Sequence, residues 1–266
     1  MHIFLGLGTY SLHGEECKNS VRAAIESGVK LIDTASIYGY EEEIGEAIKE
    51  TITDGLVKRE ELFVITKIYP ASEMANPKVS IQLFLDRLNI GYVDMMLLHH
   101  PDTNDVKSYL AMEKFVEEGL IHFLGVSDYY IEEIDLFIEE VNIKPALVQN
   151  RIHIYYQELE VVLYMHDLGI VIQAWYPFGG RGHTSEILND ETILEISRAH
   201  NRSAAQVILR WHLQRGVIAI PGSSDPDHIE ENISVFDFEL CDEERQRIST
   251  LNRYKKHKWY YEIAIF

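Results

Sequence analysis

The run Leu31-Ile32-Asp33-Thr34-Ala35-Ser36-Ile37-Tyr38-Gly39 decides how this chain is read. Val29-Lys30-Leu31-Ile32 is a short apolar run of β character, and it ends in Asp33. Tyr38 follows on the next loop, immediately before Gly39. An acid at a strand end and a phenol on the following loop can share one pocket. Two later strand-like runs also end in titratable residues: Leu62 to Lys67, and Val93 to His99. Asp33, Tyr38, Lys67 and His99 are therefore the residues to explain.

Outward from that run, strand and helix signals alternate. An apolar strand over 3–8 precedes a helix from Glu15 to Ser27, which Gly28 stops. Strand Lys30–Asp33 precedes helix Glu41–Thr53, and strand Leu62–Lys67 precedes helix Pro77–Leu88, with Pro77 suited to a first turn. Strand Tyr92–His99 precedes helix Val106–Glu118. Strand Ile121–Val126 precedes helix Ile131–Val141. Strand Ala146–Asn150 precedes helix Gln157–Asp167. Strand Ile170–Ala174 leads into a long glycine-bearing loop, helix Glu191–His200 and a helix over 203–215 that Ser203 caps. Strand Val217–Ile220 precedes helix Pro226–Val235. Alternating strands and helices imply a parallel sheet, and about eight such units match a single-domain (β/α)8 barrel of TIM type. A doubly wound open sheet is the alternative. In a barrel, functional residues gather at the C-terminal strand ends. Asp33, Lys67, His99, Ser127, Gln149, Trp175 and Ser223 all fall at or just past such ends.

Composition narrows the function. The chain has 266 residues, 46% hydrophobic and 25% charged, with a net charge of −19. That charge argues against nucleic acid or an anionic membrane surface as partner. No apolar run approaches a membrane span, and no basic region followed by an apolar stretch opens the chain. Two cysteines, Cys17 and Cys241, are read as free thiols of a reducing cytoplasm. The early glycines lack the G-x-G-x-x-G spacing of a dinucleotide fingerprint.

Singly, each candidate has an ordinary structural role: an Asp caps, a Tyr packs, a Lys is solvated, a His donates a hydrogen bond. Together they suit one reaction type. An ammonium stabilises a phenolate and lowers the phenol's pKa, and a carboxylate fixes the ammonium. An imidazole can hold a substrate oxygen. The sum is a general acid for a carbonyl oxygen as hydride reaches carbon. Side chains supply no hydride, so a redox cofactor is needed.

Several motifs carry a resemblance across nearly the whole chain. They are Gly6-Leu7-Gly8-Thr9, Asp33-Thr34-Ala35-x-x-Tyr38-Gly39-x-Glu41, Thr66-Lys67, Leu98-His99-x-Pro101, Gly125-Val126-Ser127 and Ala205-Gln206-Val207-x-Leu209-Arg210-Trp211. In order and spacing the chain resembles the aldo-keto reductase family, in its short microbial form. The resemblance implies an NAD(P)H-dependent enzyme that reduces aldehydes or ketones, with Tyr38 as general acid. Lys67 and Asp33 would lower its pKa, and His99 would orient the carbonyl. It implies that Ser127 and Gln149 hold the nicotinamide carboxamide with Asp128 beside them at the cofactor, and that Trp175 stacks on the ring where the family commonly has Tyr. Gly8, Thr9 and Tyr10 would border the cofactor and substrate. Tyr10, Tyr69 and His100 would line the substrate pocket. Ser223, His228, Glu231 and Asn232 would approach the phosphate and adenosine end.

The chain departs from the family at definite positions. The Ser-Asn pair is Ser127-Asp128, which removes an amide donor. The Asn-Gln pair is Val148-Gln149, a second lost polar contact. Pro-Lys-Ser is Pro221-Gly222-Ser223, and a frequent Arg aligns with His228. Those two cations usually hold the 2′-phosphate of NADPH, so NAD(H) or dual use stands beside NADP(H). A barrel without the family's usual N-terminal hairpin is expected. The tail over 252–266 carries Tyr254, Trp259, Tyr260, Tyr261 and Phe266. It reads either as a pocket lid or as packing against the barrel or a partner subunit.

Two other functions compete. One is a metal-dependent barrel hydrolase using His99, His100, Asp33 and Asp102. Adjacent strand residues point to opposite faces, so His99 and His100 are not expected to bind one metal easily. The other is a non-catalytic nucleotide-binding regulatory barrel. Partners are expected to be a small carbonyl substrate and at most a second copy, as monomer or homodimer.

Overall fold

In the computed structural model, which describes residues 4–69, 73 and 75–253, eight short strands run parallel in chain order around a barrel. β1 (Gly6–Gly8) is followed by α1 (Gly14–Glu26), β2 (Leu31–Asp33) by α2 (Glu41–Thr53), and β3 (Phe63–Ile68) by α3 (Pro77–Leu88). β4 (Val93–Leu98) precedes α4 (Asp105–Glu117), β5 (Ile121–Ser127) precedes α5 (Ile131–Ile138), and β6 (Leu147–Arg151) precedes α6 (Leu159–Asp167). β7 (Val171–Trp175) leads to α7 (Thr184–Leu188), α8 (Glu191–His200) and α9 (Ala204–Gln214). β8 (Val217–Ala219) leads to α10 (Pro226–Ile233) and α11 (Asp242–Ser249). The barrel closes between its first and last strands: Leu5 bridges Ala219, and the Gly8 amide donates to the Pro221 carbonyl at 3.1 Å. This is the expected (β/α)8 barrel rather than an open sheet.

Strand alternation builds two cores. Leu31, Ile65, Met95, Leu97, Leu147, Ile218 and Ile220 pack together inside the barrel. Their sequence neighbours Ile32, Val64, Met96, Leu98, Val148 and Val217 face the helices in the larger cluster. Burying an aliphatic side chain of this kind contributes about 1.5–3 kcal/mol. Alternation therefore fixes the register, because a one-residue slip would exchange the two sets. It also points Asp33, Lys67 and Gln149 to the interior at the C-terminal rim, and His99 follows directly after β4.

The elements differ from expectation in small ways. α7 lies inside the glycine-bearing loop and is too short to show helical periodicity. α11 buries only Ile248, so no apolar stripe marks it in sequence; Glu244 closes its first turn by accepting the Cys241 amide at 2.8 Å. Tyr38 lies in a 3-10 turn, Ser36–Tyr38, closed by Gly39 at φ +77. Ser203 caps α9 as expected, through the Gln206 amide at 3.1 Å. The aromatic tail from Tyr254 onward lies outside the described residues. Among the described residues, no helix is long and apolar enough to cross a membrane.

Candidate active site

The rim brings the four sequence candidates together. Lys67 Nζ donates to Asp33 Oδ1 at 2.5 Å and to the Thr34 carbonyl at 2.8 Å, and lies 3.5 Å from Tyr38 Oη. The Lys67–Asp33 pair is fully buried. The second Asp33 oxygen accepts from Gln149 Nε2 at 2.7 Å. The Tyr38 ring stands edge-on to His99 at 5.9 Å and to Tyr10 at 5.2 Å between centroids.

Burial dominates the electrostatics. It pushes the Asp33 carboxyl up and the Lys67 ammonium down, while each charge holds the other in place. Burial, with the Asp33 charge second, pushes the Tyr38 phenol well above its ordinary value. The net direction is thus up, against the lowering expected from Lys67 and Asp33. The ammonium is engaged by Asp33 and Thr34 at shorter range, so the phenol keeps its proton. Burial and then the Lys67 charge push His99 well below its ordinary value, leaving a neutral imidazole. His99 Nδ1 is buried without a hydrogen-bond partner among the described residues. With no acceptor at Nδ1, the neutral ring is better served by the tautomer with its proton on Nε2, as a donor.

A second group surrounds this one. Ser127 Oγ donates to the Gln149 carbonyl at 2.9 Å, and Gln149 Nε2 also donates to Gln173 Oε1 at 2.6 Å. Gln149 thus ties Asp33 to the barrel interior, and its amide nitrogen is engaged there. Asp128 Oδ1 accepts from Trp175 Nε1 at 3.2 Å, and Asp128 Oδ2 lies 2.9 Å from His100 Nδ1. The His99 and His100 rings lie parallel, 4.9 Å apart at 7°. That overturns the expectation that they point apart. β4 ends at Leu98, so strand alternation no longer governs either residue. Tyr69 meets both rings edge-on, at 5.4 Å and 5.6 Å, and its amide donates to Glu73 at 2.6 Å. Val148 is fully buried towards the helices, so its position faces no pocket.

At the far end the residues are looser. Gly8 and Gly222 approach so closely that a Cβ on Gly222 would stand 2.8 Å from the Gly8 carbonyl oxygen. Thr9 is buried, with its hydroxyl on the Asp33 carbonyl at 3.0 Å, whereas Tyr10 is 48% exposed. Ser223 Oγ accepts the Asp225 amide at 3.1 Å, and His228 lies 3.6 Å from the Asp225 carboxylate on the exposed face. Glu231 is engaged by Ser203, and Asn232 is buried.

Sequence reasoning missed two residues here. Tyr176 sits edge-on to Tyr10 at 5.9 Å with φ +52, and extends the aromatic wall. Gln173 holds Gln149; a polar residue at an inward position of an otherwise apolar strand was its signal. No three His, Cys, Asp or Glu side chains converge as a metal site among the described residues, so the hydrolase reading has no support.

A nicotinamide dinucleotide fits this rim by its donor and acceptor set. Ser127 and Asp128 present a hydroxyl and a carboxylate, Trp175 presents a half-buried ring, and Gly8 and Gly222 form a floor without side chains. The comparisons agree. The aldo/keto reductase family profile matches residues 4–253. The glyoxal reductase of Bacillus subtilis (strain 168) is 36% identical, over 94% of this chain and 89% of its own length. The crystal structure of an aldo-keto reductase from a Medee basin deep-sea metagenome library superposes with a TM-score of 0.90 at 32% identity, covering 95% of this chain and 92% of that one. The Bombyx mori aldo-keto reductase, solved in complex with NADP, superposes at 0.87 and 31%, covering 94% and 89%. Fold, rim and profile converge: the chain belongs to the aldo/keto reductase family and is an NAD(P)H-dependent oxidoreductase that reduces carbonyl groups.

Proposed function

We propose that Tyr38 is the proton donor of the reduction, held in place by Lys67 and Asp33, with His99 orienting the carbonyl oxygen. A nicotinamide, once bound, would supply the hydride, and Trp175 would hold its ring. The Tyr38 phenol keeps its proton because burial and Asp33 raise its pKa, so the donor is loaded at neutral pH. His99 Nε2–H offers the carbonyl oxygen a neutral hydrogen bond beside that phenol. Lys67 stands 3.5 Å from Tyr38 Oη, where it steadies the oxygen as the proton leaves. The observation that carries the reading is the buried Lys67–Asp33 pair, set against a phenol and an imidazole on one rim. Tyr38→Phe is expected to lower kcat by roughly 10²- to 10⁴-fold with the dinucleotide Kd unchanged. Retention of most of the turnover would remove Tyr38 from that role.

Ser127 is assigned to the carboxamide, and Trp175 to the ring face. The cofactor is read as NADH or both dinucleotides. Gly222 and His228 stand at the positions of the usual cations, and the carboxylates of Asp225 and Asp227 flank them. A 2′-phosphate gains no charge-assisted contact from such a set, whereas a ribose hydroxyl can donate to a carboxylate. His228→Arg is expected to raise kcat/KM for NADPH relative to NADH. An unchanged ratio would move the phosphate contact elsewhere.

The substrate wall of Tyr10, Tyr69, Tyr176 and His100 is phenolic and imidazole, which suits short polar aldehydes, dicarbonyls included, over long alkyl aldehydes. Glyoxal, methylglyoxal and hexanal compared at one dinucleotide concentration test that order. A cytoplasmic monomer or homodimer completes the reading; the free thiols, buried Cys17 and exposed Cys241, support the compartment.

A further inference from the structure

Asp128 follows the last residue of β5 with φ +61, in the left-handed region that Asn, Asp and Gly tolerate best. That backbone fixes where its carboxylate points. The side chain is 11% exposed. One oxygen accepts the Trp175 indole N–H from the end of β7, and the other faces His100 Nδ1 just past β4. A single carboxylate therefore joins three strand ends. From His100 the contacts continue to the substrate side. Its ring lies flat on His99 at 4.9 Å, and His99 faces Tyr38 at 5.9 Å.

We propose that Asp128 is a positioning residue for the reduction. Its carboxylate locks the Trp175 edge and the His100/His99 stack into one arrangement, so the ring beside the dinucleotide and the imidazole beside the carbonyl are set together. The proposal rests on this rim being the reduction site. Its chemical basis is that one Asp128 oxygen accepts the Trp175 N–H while the other lies 2.9 Å from His100 Nδ1, a separation that calls for a proton on that nitrogen. A carboxylate accepts from both and needs no acceptor of its own, and it holds His100 with the proton on Nδ1. An amide at position 128 offers one acceptor and an NH2 that would have to face a donor or reverse the His100 tautomer. A hydrocarbon ring at position 100 removes one polar partner from a largely buried carboxylate, which is costly. Asp128 and His100 are thus a matched pair.

The test is a double-mutant cycle on the full chain: wild type, Asp128→Asn, His100→Phe and both together, with Asp128→Gly as a truncation that suits φ +61. Measured are kcat and KM for one accepted aldehyde at saturating dinucleotide, and dinucleotide Kd from protein fluorescence. His100→Phe is expected to lower kcat/KM by roughly 10-fold or more with Asp128 in place, and by at least about 5-fold less in the Asp128→Asn background. The loss falls mainly on kcat, and dinucleotide Kd stays within about twofold in His100→Phe. The proposal is overturned if the two losses multiply independently, or if Asp128→Asn and Asp128→Gly change only the dinucleotide Kd. Should Asp128→Gly fail to fold, the Asn cycle decides alone. Tyr38→Phe runs alongside: if it keeps turnover, the reduction site itself is misplaced. If it is inactive while the cycle multiplies, only the role of Asp128 fails.

Discussion

Burial sets the Tyr38 phenol well above its ordinary value, and that direction carries a pH signature. Reduction uses the protonated phenol, which is present at every pH below its raised pKa. The rate of reduction should therefore hold level from about pH 6 to about pH 9. Alcohol oxidation needs the phenolate, so its kcat should climb with pH across the same range. His99 is held neutral by burial and Lys67, so no acid limb is expected at an ordinary histidine pKa. Stopped-flow kcat in both directions checks all three statements. The Lys67–Asp33 pair has a different signature. Lys67→Met leaves a buried carboxylate unpaired and should destabilise the fold by about 3–5 kcal/mol. Adding Asp33→Asn should recover much of the stability and none of the activity, read by urea unfolding and by turnover. That these residues meet was legible from their places at strand ends. The direction of the Tyr38 shift was not, because it depends on how closely Lys67 is engaged elsewhere.

α2 carries two tests of packing. Gly45 faces the last turn of α3, where an added Cβ would stand 2.0 Å from the Leu88 carbonyl oxygen. Gly45→Ala should cost about 1–3 kcal/mol through overpacking, seen as a lowered Tm with the site geometry intact. Glu41 opens the same helix almost wholly buried, with Oε1 unpartnered among the described residues and Arg87 at 3.5 Å. Burial, opposed by Arg87, pushes its carboxyl up to about 7. The folded state then holds a proton that the unfolded chain has released, so stability falls as pH rises from its ordinary value of 4.5 through about 7. Glu41→Gln should raise Tm at about pH 8, by roughly 2–4 °C per kcal/mol gained, and leave it nearly unchanged at about pH 4. The helix itself was readable from Ile44, Ala47 and Ile48. The burial of Glu41 was not, since a first-turn glutamate usually faces solvent near a helix N-terminus.

The net charge of −19 acts on the whole surface and repels anionic dinucleotides, NADPH more than NADH. Raising ionic strength from about 0.01 M to about 0.15 M shortens the Debye length from about 30 Å to about 8 Å. KM for NADPH should fall over that range by more than KM for NADH. A rise instead would reveal a local cationic contact at the 2′-phosphate. The sequence by itself determined the (β/α)8 order, because short apolar runs for the strands and the 3.6 spacing of the helices are local properties of the chain. It also determined which residues stand at the C-terminal strand ends. The tertiary structure alone decided what those residues do to one another. It brought His100 flat against His99 once β4 stopped at Leu98, joined Asp128 to Trp175 and His100, and turned Val148 away from the rim. The physical reason is that pairing across the barrel depends on where each strand ends and on how deeply each charge is buried. Neither quantity is encoded in the spacing of residues along one segment.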